Sequence, residues 1–216
     1  MGRVLSKNHI APQPYLLPYL RAADKHGAEF PSLLWASPQT QAARFDAIER
    51  LGGLHGKSVL DVGCGRADLL AFLLDRGVRP ADYLGIEAVE DLASAAEKTC
   101  RRHGDASILR ADFVREPLRL FAGADVVVFS GSLNTIEDAD FYTTVRRAFD
   151  AAAEKLVFNF LCSSYLAGAD YLRWRRPADV IAFASQLTSD VTTLDDYLHG
   201  DFTIALTKND HDDRPH

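Results

Sequence analysis

Between residues 58 and 161 five short apolar runs recur: SVLDV, DYLGIEA, ASILRAD, ADVVVFS and KLVFNFL. Helix-patterned segments follow the first, second and fourth of them: DLLAFLLDRG closed by Gly77, VEDLASAAEKTCRRHG closed by Gly104, and DFYTTVRRAFDAAAE. A further helix, PADVIAFASQLT, follows the fifth run, with Pro177 near its start. Strands that are apolar almost throughout belong to a parallel sheet buried on both faces, because a half-solvated sheet shows alternation instead. Their regular exchange with helices predicts an α/β fold. The last two runs, DVTTLDDYL and FTIALTK, are separated only by HGD and read as an antiparallel hairpin that closes the sheet.

Upstream lies SPQTQAARFDAIERLGG, a helix with Ser37 as N-cap, Pro38 at the first helical position, and Gly52 and Gly53 as its stop. Ala42, Phe45, Ile48 and Leu51 make its apolar face. Residues 1–36 carry Pro12, Pro14, Pro18 and Pro31 together with Tyr15, Tyr19, Phe30 and Trp35. Such a segment reads as an arm with one short helix, laid across the main body of residues 37–208 as a lid. The tail, residues 209–216, is polar and reads as frayed.

A formal net charge of -6 argues against a nucleic-acid partner, whose phosphates a binding surface must neutralise. Cys64, Cys100 and Cys162 are few and far apart, so neither a disulfide framework nor a zinc site is expected. Apolar runs such as LLAFLL are too short to cross a bilayer, and a cytoplasmic protein is expected. The histidines (His9, His26, His55, His103, His199, His211 and His216) are scattered, and no metal is expected.

The string VLDVGCGRADLL, residues 59–70, runs from strand through a two-glycine turn into a helix. In an open parallel sheet a ligand sits at the carboxyl ends of the strands, where the strand order switches. Gly63 and Gly65 lie just past the first strand, where the backbone turns and meets a ligand closely. A dinucleotide fingerprint needs a third glycine under the pyrophosphate. Asp68 stands there instead, a carboxylate that repels phosphate and can receive a cation or cap the helix. The turn therefore suits a nucleoside cofactor without phosphates. Glu87 ends the second strand, about 22 residues beyond Gly65, and can accept hydrogen bonds from both ribose hydroxyls. Asp112 ends the third strand, where its carboxylate can take an adenine amine or cap a turn; Phe113 or Ala88 would flank the ring.

These pieces, VLDVGCGRADL, YLGIEAVE, ILRADF and ADVVVFSGSLN in order, resemble the class I S-adenosylmethionine-dependent methyltransferases, in an uncharacterised bacterial branch. The resemblance implies a Rossmann-like, doubly wound, mostly parallel seven-stranded sheet with a C-terminal antiparallel hairpin strand. It implies S-adenosylmethionine as cofactor, with Asp61, Gly63 and Gly65 at its methionine part and Cys64 as a small turn residue. Ser130 and Gly131 would pass the same end. Arg44 can reach the cofactor carboxylate, with Trp35 and Gln39 nearby, or stand as a solvated arginine. Asn134, Asn159 and Tyr165 are the candidate orienting groups of the catalytic mouth. The basic-aromatic YLRWRRP, residues 171–177, is either a grip for an acidic acceptor or a solvated face. The acceptor is expected to be a small molecule. A catalytically silent nucleoside-binding module and a nicotinamide-dependent oxidoreductase remain the alternatives.

Overall fold

The computed structural model describes residues 13–209; the start of the arm with His9 and Pro12, and the tail from residue 210 with His211 and His216, lie outside the described residues. Seven strands form one sheet: β1 (Ser58–Val62), β2 (Asp82–Glu87), β3 (Ala106–Arg110), β4 (Val126–Phe129), β5 (Lys155–Leu161), β6 (Asp190–Leu194) and β7 (Asp201–Thr207). Their order is β3-β2-β1-β4-β5-β7-β6. The first five pair in parallel, and β7 runs antiparallel to both of its neighbours, β5 and β6. The doubly wound sheet and its closing hairpin match the expectation.

Alternate residues along each central strand feed opposite faces, as strand geometry requires. Leu60, Val62, Val127, Phe129, Leu156 and Phe158 pack with α5 (Asp138–Ala151) and α6 (Pro177–Ala184). Val59, Tyr83, Val126, Val128 and Val157 pack with α2 (Pro38–Gly52), α3 (Asp68–Asp75) and α4 (Glu90–Cys100). Both faces are covered, which explains why the strands lack polar alternation.

Local chemistry sets the ends of α2. The Ser37 hydroxyl accepts from the Thr40 amide at 3.1 Å, and the Thr40 side chain returns the contact to the Ser37 amide. Gly53, at φ +62°, stops the helix. Its buried side differs from the expected stripe: Gln41 and Arg44 are buried beside Phe45 and Ile48, while Ala42 and Leu51 are only partly covered. The first hairpin strand also ends earlier than expected, at Leu194. Tyr197 turns back there, its hydroxyl donating to Asp201 at 2.5 Å and lying 2.7 Å from the Thr203 hydroxyl, and this folds residues 195–200 into a loop.

The described part of the arm holds α1 (Leu17–His26) and a short 3₁₀ turn, Phe30–Leu33. Ala23 and Leu33 bury against Val89 and Leu92 at the start of α4, with Tyr19, Phe30 and Trp35 around them. Burying a side chain of Leu size contributes roughly 1.5–3 kcal/mol, so the segment has a packing reason to lie there.

Candidate active site

Strand order reverses between β1 and β4, and the loops leaving their carboxyl ends open the crevice that a doubly wound sheet uses for ligands. The loop after β1 is a turn of left-handed residues: Gly63 at φ +74°, Gly65 at +58° and Ala67 at +60°. The Gly63 and Cys64 amides donate to the Ile86 carbonyl at 2.8 and 3.0 Å, which ties the turn to β2. A Cβ on Gly63 would lie 2.4 Å from that of Ser132, in the loop after β4. That glycine is therefore required by the neighbouring loop. A Cβ on Gly65 would lie 2.8 Å from Leu33 Cδ2, so the arm packs directly on the turn.

Glu87 closes β2, and both of its carboxylate oxygens accept backbone N–H groups: Gly65 at 2.9 Å and Val89 at 2.8 Å. Burial raises its pKa to about 7 against these bonds, which favour the charged form. Asp61 is likewise buried and raised to about 7, while the Tyr83 hydroxyl donates to it at 2.6 Å. Burial pushes the Cys64 thiol up as well, the reverse of what a nucleophile needs.

A cavity of about 230 Å³ runs along the carboxyl edge of the sheet. Glu87, Ala88, Val89 and Phe113 line one end; Asp61, Gly63, Cys64, Gly65, Ser130, Gly131 and Asn134 line the middle. Leu161, Leu166, Leu172, Leu198 and His199 line the other end. Tyr15, Tyr19, Leu33, Leu34 and Trp35 of the arm roof it, with Gln41, Arg44 and Phe45 of α2. Trp35 lies against Gly131, where an added Cβ would come within 2.8 Å of the indole.

Other candidates sit elsewhere or are already engaged. Asp68 does not line the cavity; it holds Arg66 at 3.0 Å and Gln41 at 3.1 Å. Asp112 also stays outside: its carboxylate takes the Tyr15 hydroxyl at 2.8 Å and caps the Val114 and Arg115 amides at 3.1 and 3.3 Å. Gln39 is exposed on the outer side of α2. Arg44 lines the cavity, but its guanidinium pairs with the buried Asp201 and stacks 4.8 Å over the Trp35 ring. The Asn134 carbonyl oxygen accepts from the Leu161 amide at 3.1 Å, and that of Asn159 from the Gly131 amide at 2.8 Å. Both amides brace the loop after β4, and Asn159 itself lies beneath the cavity lining. Tyr165 corrects the expectation of an orienting group, because 88% of it is exposed and it does not line the cavity. The residue that turns inward from this loop is its neighbour Leu166.

The arginines of YLRWRRP are drawn to acids. Arg173 donates to Glu137 at 2.6 Å, Arg175 lies 3.1 Å from Asp138 and 3.7 Å over the Phe141 ring, and Arg176 lies 3.6 Å from Asp179. Sequence reasoning missed the leucines at 161, 166, 172 and 198 and the Asp201–Tyr197 pair. Nothing local distinguishes those leucines from core or surface ones.

A search of curated protein sequences found no match. Among solved structures, magnesium protoporphyrin IX methyltransferase from Synechocystis PCC 6803 with bound S-adenosylhomocysteine superposes with a TM-score of 0.61 at 14% identity, covering 79% of this chain and 83% of that one. The CcbJ methyltransferase from Streptomyces caelestis gives 0.62 at 15%, over 87% and 96% of the two chains. A chain from the complex of a Haloferax volcanii methyltransferase with its Trm112 activator gives 0.66 at 12%, over 88% and 96%. At such identities the likeness establishes a shared fold. Residues 59–155, which span the glycine turn, the Glu87 strand end and the loop after β4, match the family model described as a methyltransferase domain. With that match, the strand order and the turn geometry, residues 59–155 read as a methyltransferase domain, set in a fold shared with S-adenosylmethionine-dependent methyltransferases of class I.

Proposed function

We propose that this enzyme methylates a small-molecule acceptor, and that residues up to 36 act as a lid over a catalytic body of residues 37–208. The observation that carries the reading is the roofed cavity, which runs from Glu87 across the switch point to a leucine-lined end. The arm covers this cavity from above, with Tyr15, Tyr19, Leu33, Leu34 and Trp35 in its lining, and a covered site suits an acceptor small enough to be enclosed.

The residues fit the cofactor. Glu87 offers a carboxylate where ribose hydroxyls would donate, and Ala88 and Phe113 give apolar walls for an adenine. The Ser130 hydroxyl, buried beside the switch point, has no hydrogen-bond partner among the described residues and suits a polar ligand group. Asp112 is not assigned to the adenine, because Tyr15 and two backbone amides occupy it. Arg44 acts on the site through Trp35 rather than through a cofactor carboxylate, since Asp201 holds its guanidinium.

S-adenosylmethionine supplies a methyl group already activated by its sulfonium charge. The chain then has to orient, desolvate and hold. Asn134 and Asn159 fix the loop after β4, and Trp35, Leu33 and Tyr19 cover the crevice. Proximity and orientation of this kind can lower a barrier by several kcal/mol, up to ~7–11 in ideal cases.

Calorimetry with S-adenosylhomocysteine, with NADH as control, tests the cofactor assignment. Binding of the first and not the second is expected. Saturable NADH binding would instead support an oxidoreductase. Methyl transfer from labelled cofactor to a small-molecule extract then separates an enzyme from a silent binding module.

A further inference from the structure

Charge is absent from the acceptor end of the cavity in a usable form. The residues there are Leu161, Leu166, Leu172 and Leu198, with the exposed His199 imidazole at the rim. Leu161 ends β5 and pairs with Asp201 at the start of β7, so this end lies on the far side of β4 from Glu87. Among the described residues, the lining contributes one guanidinium, Arg44, and two carboxylates, Asp61 and Glu87. The two carboxylates belong to the opposite half, over β1 and β2. The guanidinium is neutralised by Asp201, which is 1% exposed.

The nearby basic cluster does not change this balance. Leu172 enters the cavity, but Arg173, Arg175 and Arg176 turn to Glu137, Asp138 and Asp179. Apart from the His199 imidazole at the rim, which is exposed and screened by solvent, an anionic acceptor would find no free cation at this end, and a cationic one would find no free carboxylate. Either would lose its hydration against leucine side chains without a compensating partner, and burying an unpaired ion is strongly unfavourable.

We infer that the acceptor is an uncharged molecule with an apolar body, received between the four leucines with Trp35 beside it. This rests on the methyltransferase reading and narrows it to one substrate class. The indole, with Arg44 over one face and Gly131 against its benzo carbons, adds an apolar aromatic surface to the cavity lining.

The test uses the full chain saturated with S-adenosylhomocysteine, titrated in a calorimeter with three probes of one shape: naphthol, naphthoate and the ammonium form of naphthylmethylamine. Naphthol is expected to bind, and the two ions to bind at least about tenfold more weakly, as expected for ions without a counter-charge. A Leu198→Lys variant that still binds S-adenosylhomocysteine should shift the preference towards naphthoate. Naphthoate or the ammonium probe binding the unaltered chain as tightly as naphthol would overturn the inference. So would failure of all three probes on a chain that binds S-adenosylhomocysteine, and in that case the methyltransferase reading stands alone. A chain that does not bind S-adenosylhomocysteine removes both.

Discussion

Asp201→Ala isolates the pair that joins the hairpin to α2. In the native chain the Arg44 side chain is 10% exposed and that of Asp201 is 0% exposed. The substitution leaves a guanidinium with no counter-ion in a site that water barely reaches. Removing one member of a buried pair costs about 3–5 kcal/mol, against ~0–1 for an exposed pair. Total stabilities run only to about 5–15 kcal/mol, so the loss is a large share. With a urea slope of ~2 kcal/mol per molar, the unfolding midpoint should fall by about 1.5–2.5 M. A second readout is local. Arg44 stacks over Trp35, and the other tryptophan, Trp174, is 45% exposed and can be replaced by Phe. Emission from Trp35 should then shift to the red as Arg44 seeks water. The double variant Arg44→Met with Asp201→Leu should recover most of the stability, because no buried charge remains. A loss below about 1 kcal/mol with unchanged Trp35 emission would refute the reasoning, since it would class the pair with surface ion pairs.

Glu87→Ala should weaken S-adenosylhomocysteine binding by roughly 1.5–3 kcal/mol, the range for hydrogen bonds to a charged group, as read by calorimetry. The pH dependence has a defined sign. Glu87 and Asp61 both rest near 7 in the folded chain, above the usual 4.5 and 3.8, so the folded state binds protons more tightly. Their contribution to stability is complete below the unfolded values and is lost as pH rises through about 7. Over the same interval cofactor affinity should increase, because ribose hydroxyls donate to the ionised carboxylate; a Glu87→Gln variant should flatten the affinity profile. For the arm, amide exchange across residues 17–36 should slow when S-adenosylhomocysteine binds, and equal protection with and without it would exclude a lid. Gly65→Ala should loosen the arm, since the added methyl meets Leu33 at a left-handed backbone position, and faster exchange at residues 30–35 would report it.

The strands were readable because burial on both faces writes them as apolar runs, and Glu87 because its distance from the glycine turn is set by one strand-helix-strand unit. What stayed hidden was pairing over long separations. Arg44 meets Asp201 across 157 positions, and Tyr15 meets Asp112 across 97. No local pattern announces either contact. The same blindness left YLRWRRP open between a grip for an acid and a solvated face, because Glu137 and Asp138 stand far upstream in the chain. Tyr165 misled for a different reason: a polar aromatic beside the catalytic strands has two directions to face, and only packing selects one. Gly63 reads in the sequence as a residue that meets a ligand closely, whereas in the fold it is Ser132 of the chain itself that approaches it. Gly63→Val is therefore a poor probe of ligand binding, because it collides with the fold first.

Gly85, in the middle of β2, makes room for the Cys64 side chain. A methyl group there would stand 2.6 Å from the Cys64 sulfur and 2.7 Å from Ile108 on β3. The volume available is thus shared by the turn and two strands, β2 and β3. Position 64 can grow only if positions 85 and 108 shrink, and 85 has nothing left to give. In a lineage of such chains the three sites should change together, Gly85→Ala arriving with a smaller residue at 64 and at 108. A mutational library that varies residue 64 alone will find a narrow set of small side chains, and one that varies all three will find combinations that no single step reaches.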